Sequence, residues 1–201
     1  MTVTGALLAA GAGRRIGLPK ALVSFEGELL VERGVRLLRG GGCDEVRVVL
    51  GARADEVLAR ATLAAAVVVN ARWAEGMSTS LHAALDGHDD QVSAVVLALV
   101  DQPLVGAAAV RRLVAAHRSG AVAAVATYGG EPRNPVLLAR SLWADVVAAS
   151  TGEQGARDFL RARPELVTLV PCDDTGSAAD VDSAADLAAL TRKGVTDATR
   201  S

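Results

Sequence analysis

Three sets of residues in this chain could do chemistry. The first is the run Leu8-Ala9-Ala10-Gly11-Ala12-Gly13-Arg14-Arg15-Ile16-Gly17-Leu18-Pro19-Lys20, which gathers three glycines, two arginines and a lysine into one turn. Glycines let the backbone take positive φ and let bare N–H groups approach an anion closely. Arg15 and Lys20 add the cationic clamp that a triphosphate requires, so the run predicts a phosphate-binding loop, with Arg14 facing solvent. The second is Asp101, directly after the apolar run ending at Val100. A carboxylate at the mouth of a buried strand can hold Mg2+, a hard cation that takes oxygen ligands and substrate phosphates. It can also cap a helix beginning near Gly106. The third is Asp180-Val181-Asp182. If this segment is extended, one carboxylate points into the site and the other away. A carboxylate from here could join Asp101 on a metal, or Asp182 or Ser183 could cap the last helix.

The elements that must position these residues alternate along the chain. Apolar runs at Gly5–Ala9, Glu45–Gly51, Ala66–Asn70, Ala94–Leu99, Ala121–Thr127, Pro135–Leu138 and Val167–Val170 read as strands. Helical patterns fall between them, near Glu28–Gly40, Ala54–Ala61, Ser78–Leu85, Ala107–Arg118, Ser141–Ala149, Gln154–Arg161 and Ser183–Thr191. Such alternation predicts an α/β fold, a three-layer α/β/α sandwich with a mostly parallel, mixed sheet. Ligands of open α/β sheets bind beyond the carboxyl ends of the strands. The glycine-rich loop and Asp101 both follow strands, so the site is expected between them. Trp73, Gly76 and Ser80 lie on a loop entering a helix. Gly76 would let the chain pass close over a base, and Ser78 to Ser80 offer hydroxyls or a simple helix cap.

Composition narrows the function classes. The chain has 201 residues, 51% of them hydrophobic and only 2% aromatic, which predicts one aliphatic core. It reads as a single domain over residues 1–192, with a polar, disordered tail at 193–201. A net charge of −2 argues against a nucleic-acid groove, which needs a basic surplus. No apolar run is long enough to span a bilayer, and no basic stretch precedes the first apolar run, so no signal peptide is expected. Cys43 and Cys172 match no metal or redox spacing; reduced thiols in a cytoplasmic protein are expected. His82 reads as structural, and His88 and His117 as surface residues. No Ser-His-Asp or Cys-His arrangement stands out.

The loop does not fit the Walker pattern, and Ile16 breaks the dinucleotide pattern Gly-x-Gly-x-x-Gly. The full string Leu-Ala-Ala-Gly-x-Gly-x-Arg-x-Gly-x-Pro-Lys instead resembles the signature of the MobA-like nucleotidyltransferases. Within that family it looks most like the molybdenum cofactor cytidylyltransferases, whose branch the alanine at Ala10 resembles. Further along, Asn70-x-x-Trp73-x-x-Gly76-Met77-x-x-Ser80-Leu81 resembles the family's second motif and Val100-Asp101-Gln102-Pro103 its metal motif. Arg133-Asn134-Pro135-Val136, Gly152-Glu153-Gln154-Gly155-Ala156-Arg157 and Asp180-Val181-Asp182-Ser183-Ala184 resemble later segments. They depart from the family at Asn134, Glu153 and Ala184, in the part that should hold the acceptor.

The resemblance implies a Rossmann-like nucleotidyltransferase fold and Mg2+-dependent transfer of a nucleotidyl group, CMP from CTP, to a phosphorylated pterin-type acceptor, the molybdopterin cofactor. It implies Arg15, Lys20 and Asp101 as catalytic residues. Leu8, Ala9, Ala10, Gly11, Gly13, Arg15, Lys20, Gly76 and Ser80 would bind the nucleotide, and Asp101 and Asp182 the metal. A molybdenum hydroxylase or its maturation factor would be the protein partner. Two other classes stay open. One is an NAD(P)H-dependent oxidoreductase acting on a pigment-like, nicotine blue-type heteroaromatic. The other is a non-catalytic carrier of the molybdenum cofactor.

Overall fold

A computed structural model describes residues 1–190. The expected tail at 193–201 lies outside the described residues. Strand β1 (Thr2–Ala9) leads into the glycine-rich loop, a 3-10 turn (Lys20–Leu22) and a small hairpin of β2 (Ser24–Phe25) and β3 (Glu28–Leu29). Helix α1 (Leu30–Gly40), β4 (Glu45–Leu50), α2 (Ala54–Arg60) and β5 (Ala66–Val69) follow. Next come α3 (Met77–Leu85), β6 (Val92–Leu99) and α4 (Ala107–Arg118). The second half holds β7 (Ala123–Tyr128), β8 (Glu131–Ala139), α5 (Trp143–Ala149), α6 (Ala156–Ala162) and β9 (Val167–Pro171). Residues 184–190 are helical.

Seven strands form one sheet in the order β5-β4-β1-β6-β8-β7-β9. β1 pairs in parallel with both β4 and β6, and β7 with β9. β8 alone runs antiparallel, against β6 and β7, so the sheet is mixed. Side chains alternate across it as the strand period requires. Val3, Leu7 and Ala9 face one core layer with α1 and α4, while Ala6 and Leu8 face the other with α3, α5 and α6. The result is a three-layer α/β/α sandwich with a Rossmann-like topology. No helix among the described residues is long and apolar enough to cross a membrane.

Because β1, β4 and β6 are parallel, their carboxyl ends share one edge. The antiparallel register of β8, with Leu97 opposite Val136, brings its leading residues Arg133 and Asn134 to that same edge. His117, expected at the surface, is instead buried at 7% exposure, bonded to Ala121 O and Ser93 Oγ. It sits on the inner face of α4, a position that the apolar spacing of this helix reserves for the core.

Candidate active site at the carboxyl edge of the sheet

The glycine-rich loop turns on Gly13. Its φ is +60°, and a Cβ there would stand 1.9 Å from the carbonyl oxygen of Leu18. Any side chain would therefore push the loop open. The N–H groups of Ile16 and Gly17 both donate to Gly13 O at 3.0 Å, closing the turn. Gly11 differs: a Cβ there would meet nothing within 4 Å. Its bareness leaves open space beside the backbone, the shape that a bound anion needs. Pro19 then sets φ at −53° and launches the 3-10 turn that carries Lys20.

Lys20 is the centre of the site. Its ammonium donates to Asp101 Oδ2 at 2.6 Å and to Asp182 Oδ1 at 2.6 Å. The Lys20 and Asp101 side chains are each 19% exposed, Asp182 47%. Burial alone would lower the Lys20 pKa, but the hydrogen bonds and charges of the two carboxylates overcome it and hold the ammonium above its ordinary 10.5. Asp101 Oδ1 is buried and has no hydrogen-bond partner. A buried carboxylate oxygen left bare is costly unless something else fills the valence.

The last segment is pinned to this point by its backbone. Val181 N donates to Asp101 O at 2.8 Å. The segment is not a strand, so the expected alternation of Asp180 and Asp182 fails. Both border one cavity beside Asp101. Asp182 reaches Lys20, while Asp180 accepts from Gln102 Nε2 at 2.9 Å. Burial raises the Asp180 pKa, Gln102 opposes this, and the neighbouring Asp101 and Asp182 raise it further. Neither metal-candidate carboxylate serves as a helix cap. Gly106 starts α4. Ser183 and Asp186 cap the last helix between themselves, at 3.2 Å from Asp186 N to Ser183 Oγ and 2.8 Å from Ser183 Oγ to Asp186 Oδ2.

A cleft of about 350 Å3 opens between the loop and Asp101. Of the sequence-expected residues, Leu8, Ala10, Gly11, Gly13, Lys20, Gly76, Ser80 and Asp101 line it. Ala9 does not: at 2% exposure it packs into the opposite core layer, as strand alternation demands. Arg15 is also off the cleft wall, its side chain 80% exposed and 3.6 Å from Asp182 Oδ2. Arg14 is exposed, as expected, and also borders the cleft. Gly76 makes room first for protein. With φ at +122°, a Cβ there would lie 2.3 Å from Gly152 O, the carbonyl that accepts from Ser78 N at 2.9 Å. Asn70 ties this corner together by donating to Thr79 Oγ1 at 2.8 Å and Ser80 Oγ at 3.1 Å. Residues that the sequence did not single out as site members also line the cleft, notably Met77, Leu99 and Glu153. Glu153 belongs to a segment expected on the acceptor side, and the long-range contact of Gly152 with Ser78 brings it to this cleft as well.

The donor set suits a hard divalent cation. Asp101 and Asp182 offer oxygens only, Asp101 Oδ1 is unsatisfied, and Lys20 already marks a point where both carboxylates converge on positive charge. Among the described residues no group of three or more His, Cys, Asp or Glu is placed to hold a metal. Further ligands would have to come from a bound substrate or from water.

Comparison with known proteins agrees with this arrangement. The family model for the MobA-like NTP transferase domain matches residues 5–169. The nicotine blue oxidoreductase of Paenarthrobacter nicotinovorans is 41% identical over 189 residues, covering 90% of this chain and 92% of that protein. The structure of the Rv0371c homologue from Mycobacterium sp. strain JC1 superposes with a TM-score of 0.85 at 33% identity, covering 96% of this chain and 97% of that one. The manganese complex of Rv0371c from Mycobacterium tuberculosis superposes at 0.81 with 26% identity, covering 96% and 99%. The matched segment carries the glycine-rich loop and Asp101 on one continuous sheet, and the chain belongs to the MobA-like NTP transferase domain family of nucleotidyltransferases.

Proposed function

We propose that this protein transfers a nucleotidyl group, CMP from CTP, to a phosphorylated pterin-type acceptor such as the molybdopterin cofactor, with Mg2+ bound at Asp101 and Asp182. The observation that carries the reading is the convergence of Lys20, Asp101 and Asp182 at 2.6 Å beside an open glycine loop. An oxygen of the acceptor phosphate attacks the α-phosphorus of CTP. The new P–O bond forms as the α–β bridging bond breaks, and pyrophosphate leaves with both electrons of that bond. No covalent enzyme intermediate is needed, so positioning and electrostatics carry the catalysis.

Each side chain then has a role. The N–H groups of residues 11–15, which the closing bonds of Ile16 and Gly17 leave uncommitted, serve the triphosphate, with Arg14 and Arg15 at its open side. Lys20 meets the charge that develops on the departing pyrophosphate. Mg2+, when held by Asp101 and Asp182, supplies Lewis-acid stabilisation of the phosphoryl oxygens. The manganese complex of the mycobacterial relative supports a divalent ion on this fold. The Ala10 methyl, on the cleft wall, narrows the base pocket in favour of a pyrimidine. A cytoplasmic enzyme handing its product to a molybdenum hydroxylase or its maturation factor fits this chemistry.

A second reading has one observation in its favour. The relative at 41% identity is named a nicotine blue oxidoreductase, which would make this chain an NAD(P)H-dependent reductase of a pigment-like heteroaromatic. Binding of CTP, GTP, ATP and NADPH, each with and without Mg2+, separates the two. Mg2+-dependent CTP binding supports the transferase; NADPH binding without Mg2+ and no nucleoside triphosphate binding supports the reductase.

A further inference from the structure

Three carboxylates, those of Asp101, Asp180 and Asp182, border one cavity at the carboxyl edge of the sheet. Yet among the described residues no three such groups are placed to share a metal. What separates them centres on Gln102, the residue after Asp101. Its side chain is buried, at 6% exposure. Its amide nitrogen donates to Ala178 O at 3.2 Å and to Asp180 Oδ1 at 2.9 Å. A primary amide has two N–H groups, and both are spent on this one segment. Between the two aspartates stands Val181, fully buried, whose N–H donates to Asp101 O at 2.8 Å. Val181 is thus a fixed point with a carboxylate on either side. Lys20 holds Asp182 at 2.6 Å, and Gln102 holds Asp180.

The two holds differ in permanence. A cation that takes the place of Lys20, or phosphates that draw its ammonium away, removes the hold on Asp182. The hold on Asp180 stays. Asp180 and Asp182 offer the same ligand oxygens two positions apart, and Asp180 is exposed. The anchor at Val181 alone therefore does not decide which of them meets a cation beside Asp101. We propose that Gln102 decides it, as a positioning residue whose amide ties Asp180 back and leaves the place opposite Asp101 to Asp182. Turning Asp180 towards the cation would strip a buried N–H of its acceptor, and that cost keeps the bond closed. Gln102 acts through Asp180 and the backbone at Ala178. This inference rests on the reading of Asp101 and Asp182 as the metal carboxylates, and it names the residue that makes the choice between Asp182 and Asp180.

The test measures Mn2+ binding to the full chain by water-proton relaxation, a signal that needs no turnover. In the wild-type background Asp182→Asn should weaken Mn2+ by at least the tenfold that loss of a supporting partner costs. Asp180→Asn should change it by less than about twofold, as for a site with no part in the shell. Gln102→Met keeps the length of the side chain and removes the donor. In that background Asp180→Asn should weaken Mn2+ about fivefold, a coupling within the range for one hydrogen-bond network, and the loss from Asp182→Asn should shrink. A Gln102 that merely supports the fold would lower Mn2+ affinity without changing which aspartate it depends on. Asp180 is exposed and the Asp182 side chain 47% exposed, so the wild-type comparison stands on folded protein even where circular dichroism finds Gln102→Met unfolded. Equal losses from Asp180→Asn and Asp182→Asn in the wild-type background, or no response to Asp180→Asn in a folded Gln102→Met, overturns the role of Gln102 and leaves the metal site standing. Mn2+ binding that ignores both Asp101→Asn and Asp182→Asn overturns the metal reading and this assignment together.

Discussion

Replacing Lys20 by Met removes the ammonium that two carboxylates share. The Asp101 contact is the larger part: both side chains are 19% exposed and the separation is 2.6 Å, so this charge-assisted hydrogen bond contributes about 2 kcal/mol. The Asp182 contact is nearly half solvated, at 47% exposure, and contributes no more than about 1 kcal/mol. Lys20→Met should therefore cost about 2 to 3 kcal/mol, lowering Tm by roughly 5 to 10 °C in a chain of this size. The two carboxylates then face each other without a counterion, and a divalent ion becomes their natural partner. In wild type the ion must displace Lys20; in the variant it need not. At ten times its dissociation constant, Mn2+ would return about 1.4 kcal/mol, or roughly 3 to 6 °C, to the variant and less to wild type. CTP affinity should fall at the same time, because the phosphates lose their lysine. Thermal melts by circular dichroism, with and without Mn2+, read the first effect, and calorimetry with CTP the second. A variant as stable as wild type, or one that Mn2+ stabilises no more than wild type, would refute the reasoning. The pH sign is fixed too. A folded-state pKa above 10.5 means that the Lys20 contribution is fully present below 10.5 and is lost as pH rises through the folded value. The alkaline loss of stability should thus be steeper in wild type than in Lys20→Met.

Three further outcomes follow. Asp101→Asn should leave the circular dichroism spectrum intact and reduce pyrophosphate release about a hundredfold or more, since a metal ligand supplies several kcal/mol of transition-state stabilisation; near-normal turnover would return Asp101 to a structural role. Ala10→Gly should shift competition between CTP and GTP towards GTP by about 10- to 200-fold at most, the range that shape discrimination supplies; a wild-type preference for GTP would contradict the pocket argument. Burial, with the Asp44 charge beside it, pushes the Cys43 thiol up to about 12. Its stabilising contribution is present below about 9 and lost as pH rises towards 12, so Cys43 should resist a thiol reagent at neutral pH until the protein is unfolded, and rapid labelling of the native protein would disprove its burial.

The glycine loop and Asp101 were legible because each rule is local: a buried apolar strand, then residues whose types suit phosphate or metal. The alternation of strands and helices gave the layers for the same reason. The direction of β8 was not read, although a signal existed. Gly129 and Gly130 both take positive φ, +61° and +77°, and Gly-Gly between two strands marks a tight antiparallel hairpin. The β2–β3 hairpin escaped because two-residue strands show no alternation. Its turn, at Glu26 and Gly27 with φ of +53° and +83°, replaces the more usual Asn-Gly. Asp180 and Asp182 were read by a strand rule in an irregular segment held by separate contacts to Asp101, Gln102 and Lys20 rather than by a strand ladder. Arg15 was read as the clamp and Arg14 as the solvent-facing residue; both are exposed and Arg14 is the one bordering the cleft, because the orientation of a loop side chain depends on where the loop closes, here at Gly13. Glu153 reaches the cleft only through the contact of Gly152 with Ser78, a pairing between distant parts of the chain.

One measurement bears most directly on the central claim. The purified protein is incubated with CTP labelled at its α-phosphate, Mg2+ and a phosphorylated pterin acceptor, and in parallel with NADPH and a blue heteroaromatic dye. The account predicts that label passes to the acceptor with one pyrophosphate released per transfer, that this stops in Asp101→Asn, and that NADPH is not consumed. Oxidation of NADPH with no pyrophosphate from any nucleoside triphosphate would contradict it.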